Sequence, residues 1–222
     1  MTPFLQSIAQ KWRLVGLLPL EKTSASYLLS GFQDTKPIVL KISSDETALE
    51  REAGALQAFS GYQAVEVLAY QPGALLLERV RPGPSLTTLP HSQLPVQIAC
   101  HVMKRLHQAP SPNVSFPTID EWLRTLDVAW DLPASYLKRA QSLRDHYGPS
   151  VNPVLLHGDL HRGNILAQGG DWVAIDPKGV MGNPIHEVWA LLKIQRRRSP
   201  GSLNISISSH RLSGVGVLCM QF

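Results

Sequence analysis

A chain of 222 residues with 44% hydrophobic and 17% charged residues is long enough for one or two domains with a buried core, and too apolar for a disordered protein. Its two cysteines, Cys100 and Cys219, are too few for a disulfide framework, which suits a reducing, cytoplasmic setting. No apolar run approaches the ~20 residues of a membrane helix, and MTPFLQSIAQKW lacks the basic and apolar regions of a secretory leader.

The net charge of +4 is misleading. Five basic residues (Lys193, Arg196, Arg197, Arg198, Arg211) and no acidic ones follow from Lys193 onward, so the body keeps 16 of the 21 basic residues against all 17 acidic ones. The basic balance belongs to the last segment, and the body carries no electrostatic footprint for nucleic acid.

Residues 24–42 predict two strands and a turn, SASYLLSG and PIVLKIS around GFQDTK, with Lys41 following the triplet Ile38, Val39, Leu40. Residues 45–60 predict a helix with Ala48, Leu49, Ala53, Leu56 and Phe59 on an apolar face, Asp45 as its N-cap and Glu46 suiting its dipole. Val65 to Tyr70 and Ala74 to Glu78 predict two more strands around QPG. RVRPGPSL then reads as a connector. Residues 93–108, with Val96, Ile98, Ala99, Val102, Met103 and Leu106, predict a buried helix, and residues 118–132 and 134–146 two further helices split by Pro133. Strands and one helix first, helices after, make a two-lobed α+β arrangement: an N-terminal lobe to residue 78, a hinge at 79–84, a mostly helical lobe over 85–192, and a basic, Ser- and Gly-rich segment over 193–222.

The stretch LLHGDLHRGNIL, with Asp176 in VAIDPKG twelve residues after Asn164, carries the chemistry. Short apolar strands, VLL and WVAI, deliver Asp159, Asn164 and Asp176 to a cleft. Phosphoryl transfer needs those three groups: a carboxylate to accept the proton of an attacking hydroxyl, and an amide and a second carboxylate to hold the Mg²⁺ that bridges the phosphates of ATP. His157 and His161 do not read as a zinc pair, because Gly158 interrupts them and no Glu lies between. Lys41, at a strand end, can reach the α- and β-phosphates. Glu52 is its favoured partner, lying just before the apolar Ala53, and Glu50 is the other candidate. The main chain of LLLERV, around Glu78 and Val80, can bond the adenine edge. No G-x-G-x-x-G loop is present, and the nearest substitute is Thr23-Ser24-Ala25-Ser26.

These residues resemble the protein-kinase-like superfamily of the aminoglycoside phosphotransferases and choline kinases. Within it, HGDLHRGN, GDWVAIDPKGVMGNP and ERVRPGPSL look most like the aminoglycoside/hydroxyurea antibiotic resistance kinases, the streptomycin kinase group, over about Ser24 to Leu192. The resemblance implies a two-lobed kinase-like fold and ATP-dependent transfer to a hydroxyl of a small, streptomycin-like acceptor. It implies Asp159 as catalytic base, Asn164 and Asp176 as Mg²⁺ ligands, and Lys41 as the phosphate-binding lysine. The group's acceptor is a polycation, so an acidic site near Asp159, with Glu187 or Asp131, would suit it. Family members continue beyond the GNP segment with further helices, whereas here the pattern stops near Leu192. The sequence therefore predicts a truncated or replaced C-terminus, and as the alternative function a non-catalytic remnant with an incomplete acceptor site. A protein kinase or regulatory binding module is disfavoured by HGD in place of H-R-D and by the missing glycine loop.

Overall fold

The structure, a computed structural model, describes residues 2–22, 26–90, 92–128, 130–147 and 152–193. The expectations for the segment after Lys193 and for Thr23 to Ala25 lie outside these residues.

The first lobe is a five-stranded antiparallel sheet between two helices. Its strands are β1 (Leu14–Lys22), β2 (Ser26–Gln33), β3 (Lys36–Ser43), β4 (Val67–Gln71) and β5 (Ala74–Glu78), in spatial order β1-β2-β3-β5-β4. Side chains alternate across a strand, and the two faces are filled accordingly. Ile38, Leu40, Ala74 and Leu76 pack with Ile8 and Trp12 from α1 (Pro3–Lys11) and its C-cap. Leu75 and Leu77 pack with Leu49, Ala53 and Leu56 of α2 (Glu46–Ala58). Lys41, one residue past Leu40, therefore faces α2. Helix α1 and strand β1 were not anticipated from the sequence. Thr2 caps α1 by accepting a hydrogen bond from the Leu5 N–H. Gly16 and two register shifts break the regular alternation of β1 and leave Val15, Leu18 and Leu20 exposed, which hides its strand pattern.

Asp45 caps α2 as anticipated, its Oδ1 accepting from the Ala48 N–H at 2.9 Å. The chain after α2 is stitched to the second lobe. The Val65 N–H donates to the Ala174 carbonyl at 3.0 Å, and the Ala174 N–H donates to that of Gln63 at 2.8 Å.

In the second lobe, α3 (Gln93–Leu106) buries Ala99, Cys100, Val102, Met103 and Leu106 against Phe59, Leu86, Phe116, Leu155, Leu160 and Ile165. Val96, expected on the buried face, is exposed. The connector is partly strand: β6 (Pro82–Ser85) pairs with β8 (Ile165–Gln168), which pairs with β9 (Asp171–Ala174), and β7 (Val154–Leu156) pairs with β10 (Val180–Gly182).

The helix expected over 118–132 is shorter. It is realised as α4 (Ile119–Leu123), opened by a capping box between Thr118 and Glu121, and a 3₁₀ turn over Arg124–Asp127. The Trp130 indole donates to the Thr125 carbonyl at 2.6 Å, a group that a continuing helix would have used in its own ladder. Helix α5 (Ala134–Tyr147) has no fully buried residue, and α6 (Val188–Lys193) ends the described chain.

Candidate active site

Alternation on β3 and helical spacing on α2 bring Lys41 and Glu52 together. Glu52 lies three residues after Leu49 and four before Leu56, on the buried stripe, while Glu50 is exposed. Lys41 Nζ lies 2.7 Å from Glu52 Oε2 and 2.7 Å from Asp176 Oδ1. Glu52 is thus the partner, and the same ammonium reaches across to the second lobe.

Burial lowers the Lys41 pKa, but two carboxylates, Glu52 first and then Asp176, raise it above its ordinary value. Burial raises the Glu52 carboxyl, and Lys41, shared with Asp176, does not fully offset it. Burial also raises Asp176, yet Lys41 and then Lys178 outweigh it and hold the group below its usual range. Asp176 has φ +58°, in the left-handed region where Asp is tolerated better than most residues. Such a conformation costs about 1–3 kcal/mol and persists where its surroundings fix it.

The residues of the loop around Asp159 hang on a buried frame. The His157 imidazole is fully buried. Its Nε2–H donates to the Ile175 carbonyl at 2.9 Å and its Nδ1 accepts from the Asp159 N–H at 3.3 Å. Burial lowers its pKa and keeps the ring neutral. The His157 and Gly158 N–H groups donate to the two oxygens of Glu187 at 2.6 and 3.0 Å. Glu187 is 1% exposed. Burial raises its carboxyl, but His107 (3.7 Å away) and the hydrogen bond from the His157 main chain outweigh that and hold it below the ordinary carboxylate value.

Gly158 has φ +81°, and a Cβ there would meet Trp122 at 3.1 Å and Val180 at 3.2 Å, so the turn admits no side chain without displacement. Asn164 is 9% exposed. Its Nδ2 donates to the Asp159 carbonyl at 3.1 Å and its own carbonyl accepts from the Ile175 N–H at 3.0 Å. The Arg162 guanidinium donates to the carbonyls of Leu86 and Leu89 at 2.8 and 3.0 Å, tying this loop to the chain after the connector.

Strand β5 ends at Glu78, and Val80 follows two residues later. The Glu78 carboxylate is occupied, accepting from the Glu66 N–H and from Gln168 Nε2, each at 3.0 Å. Glu78 and Arg79 give their N–H groups to Glu66 and Pro37. Val80 is 9% exposed, and its N–H has no acceptor among the described residues.

One expectation for an acidic acceptor site changes. Glu187 is buried behind the loop that carries Asp159, where it accepts two main-chain N–H groups. Asp131 is exposed on the segment before α5. The sequence reading assigned no role to Lys178, whose Nζ lies 3.4 Å from Asp176 Oδ2. A lysine two residues after a metal-type aspartate, in IDPKG, was the available signal. Nothing in sequence spacing indicated that His107 and Glu187 would meet.

A two-lobed kinase-like fold with a lysine, a helix glutamate and a loop aspartate joined across its cleft defines the class of this protein. The chain superposes on a thermostable mutant of aminoglycoside phosphotransferase APH(4)-Ia, crystallised with ADP and hygromycin B, with a TM-score of 0.65 at 20% identity, covering 85% of this chain and 76% of that one. The profile of the aminoglycoside/hydroxyurea antibiotic resistance kinases matches residues 11–200, and the chain belongs to that family. It is 32% identical over 180 residues to streptomycin 3''-kinase of Klebsiella pneumoniae, covering 78% of this chain and 66% of that protein. It is 23% identical over 206 residues to streptomycin 6-kinase of Streptomyces glaucescens, covering 85% and 65%. The matches thus span about two thirds of these relatives' length.

Proposed function

We propose that this chain is an ATP-dependent phosphotransferase that moves the γ-phosphoryl group of ATP to a hydroxyl of a small, streptomycin-like aminoglycoside. The observation that carries the reading is the joining of Lys41, Glu52 and Asp176 at 2.7 Å across the two lobes, beside a loop that sets Asp159 and Asn164. Family membership and the names of the streptomycin kinase relatives support the acceptor class.

Each residue then has a part. The Val80 N–H and the Glu78 main chain take the adenine edge. Lys41, held by Glu52, binds the α- and β-phosphates. Asp159 orients the acceptor hydroxyl and receives its proton as the oxygen attacks the γ-phosphorus. The bond from that phosphorus to the β–γ bridging oxygen breaks and ADP leaves.

Asn164 and Asp176 fit Mg²⁺. Asn164 Nδ2 is committed to the Asp159 carbonyl, which leaves Oδ1 as the oxygen donor, and the Asp176 carboxylate is held ionised. A hard cation takes such oxygens and few protein ligands beyond the phosphates. When bound, Mg²⁺ would neutralise charge on the phosphates. An ATP-dependent activity suits a cytoplasmic setting, and no helix among the described residues is long and apolar enough to cross a membrane.

Thermal unfolding with and without Mg·ATP tests the nucleotide site. Binding at ~100 times the dissociation constant should add about 2.7 kcal/mol of stability, and Asp176→Asn should lose the magnesium-dependent part. ADP release with streptomycin, measured against Asp159→Asn, tests the chemistry. Release no greater than in that variant across a panel of hydroxylated acceptors, with the ATP shift intact, would reduce the protein to a nucleotide binder.

A further inference from the structure

The Asp176 carboxylate carries two ammonium groups of different character. Lys41 is 14% exposed in its side chain, sits 2.7 Å from Oδ1, and is shared with Glu52. Lys178 is 48% exposed in its side chain and sits 3.4 Å from Oδ2. That distance exceeds the ~2.7–2.9 Å of a strong charge-assisted hydrogen bond. So exposed and loose a pair contributes little to stability, and stability does not account for its place in the cleft.

The root of Lys178 is nevertheless fixed. Its N–H donates to the His157 carbonyl at 2.7 Å, and the next N–H, from Gly179, points to the same carbonyl at 3.3 Å. Its Cβ borders the space over Gly158, next to Asp159. A rigid backbone anchor on the catalytic loop thus carries a flexible four-carbon arm whose charge rests on the carboxylate assigned above to the metal.

We propose that Lys178 is a further catalytic residue of this site. Its ammonium, 3.4 Å from Asp176 Oδ2, would turn to the equatorial oxygens of the transferring phosphoryl group when that carboxylate is given over to Mg²⁺. This rests on the phosphotransferase reading and goes beyond it by giving the transfer a second cation from the protein, separate from Lys41. A cation placed where charge develops contributes to the transition state more than to the ground state. The same cation must first yield Asp176, so it opposes the metal in the resting protein.

The full chain, Lys178→Met and Lys178→Arg are compared in two measurements. In the first, stabilisation by ADP is followed by thermal unfolding as Mg²⁺ is raised. Lys178→Met should reach half-saturation at roughly threefold lower Mg²⁺, because a competing charge is gone, and Lys178→Arg should resemble wild type. In the second, ADP formation is followed with ATP and streptomycin, or with water as the default acceptor. Lys178→Met should lose at least about tenfold in kcat with KM for ATP changed less than about threefold, and Lys178→Arg should recover part of the loss.

An unchanged or raised Mg²⁺ requirement in Lys178→Met, or a kcat within twofold of wild type, overturns the proposal. If Asp176→Asn abolishes the magnesium dependence while Lys178→Met behaves as wild type in both arms, the proposal fails and the phosphotransferase reading stands. If wild type shows no magnesium-dependent stabilisation by ADP, both fail.

Discussion

Lys41 serves two carboxylates from opposite lobes, and its removal should cost more than a single ion pair. Lys41→Met would leave Glu52, with 7% of its side chain exposed, without its cation. Breaking a buried pair from one side costs about 3–5 kcal/mol. The loss should be smaller when Glu52→Gln is added, because the stranded charge is then gone, and urea unfolding of the two single variants and the double variant reads that coupling.

His157 gives the pH dependence. Its pKa is lowered from 6.5 by burial, so its contribution is complete above about pH 6.5, the unfolded value, and falls away as pH drops toward the folded value. Glu187, lowered from 4.5, adds a second loss below about pH 4.5. Thermal midpoints should therefore decline first as pH falls below about 6.5, and His157→Gln should flatten that limb.

At this scale much of the candidate site was legible, because residue type and spacing identify groups that chemistry needs near one another. Asp159, Asn164, Asp176 and Lys41 were named from spacing, and Glu52 was preferred over Glu50 for its place beside Ala53. Glu187 was given the wrong surroundings. A carboxylate thirty residues after His157 carries no local sign of whether it faces a substrate or the amides behind it.

Among the elements, α2 carries Glu52 and depends on Asp45 at its start. Asp45→Ala should cost about 1 kcal/mol, as N-cap losses do, read as a lower urea midpoint with unchanged slope. The turn after Asp176 is less forgiving. Gly179 has φ +64°, and a Cβ there would come within 2.8 Å of Phe116, a core residue that also lies against Gly54 of α2. Gly179→Ala should destabilise by more than the about 1 kcal/mol of a compatible backbone change, and should lower the magnesium-dependent ADP shift because the residues following Asp176 move with it.

The legible elements were those whose pattern is local: β3 and β5 by short apolar runs bounded by turns, α2 by its cap and stripe. The α4 segment was overextended because the Thr125 carbonyl goes to the Trp130 indole, a contact no periodicity reports. Strand β1 was missed because its bulges erase the alternation.

Over the whole molecule, the two-lobed α+β arrangement expected from the order of strands and helices is the one observed, and the family resemblance agrees with the profile match over residues 11–200. The lobes hold different cores. One fills each face of the five-stranded sheet, taking in Val173 of β9 beneath α2, and the other surrounds α3 and takes in Ala55 and Phe59 from the end of α2. Trp130, Leu132 and Tyr136 are exposed near α5, where the second lobe buries least.

Yet the lobes are not independent bodies. Beyond the covalent connector, the Val65 and Ala174 amides cross between the chain after α2 and the strand leading to Asp176. That crossing fastens the foot of α2 to β9. In hydrogen exchange, the amides of Val65 and Ala174 should then open with the second lobe's core and not with the outer strands β1 and β2, so that the lobe boundary seen by exchange runs behind α2 and not through the hinge.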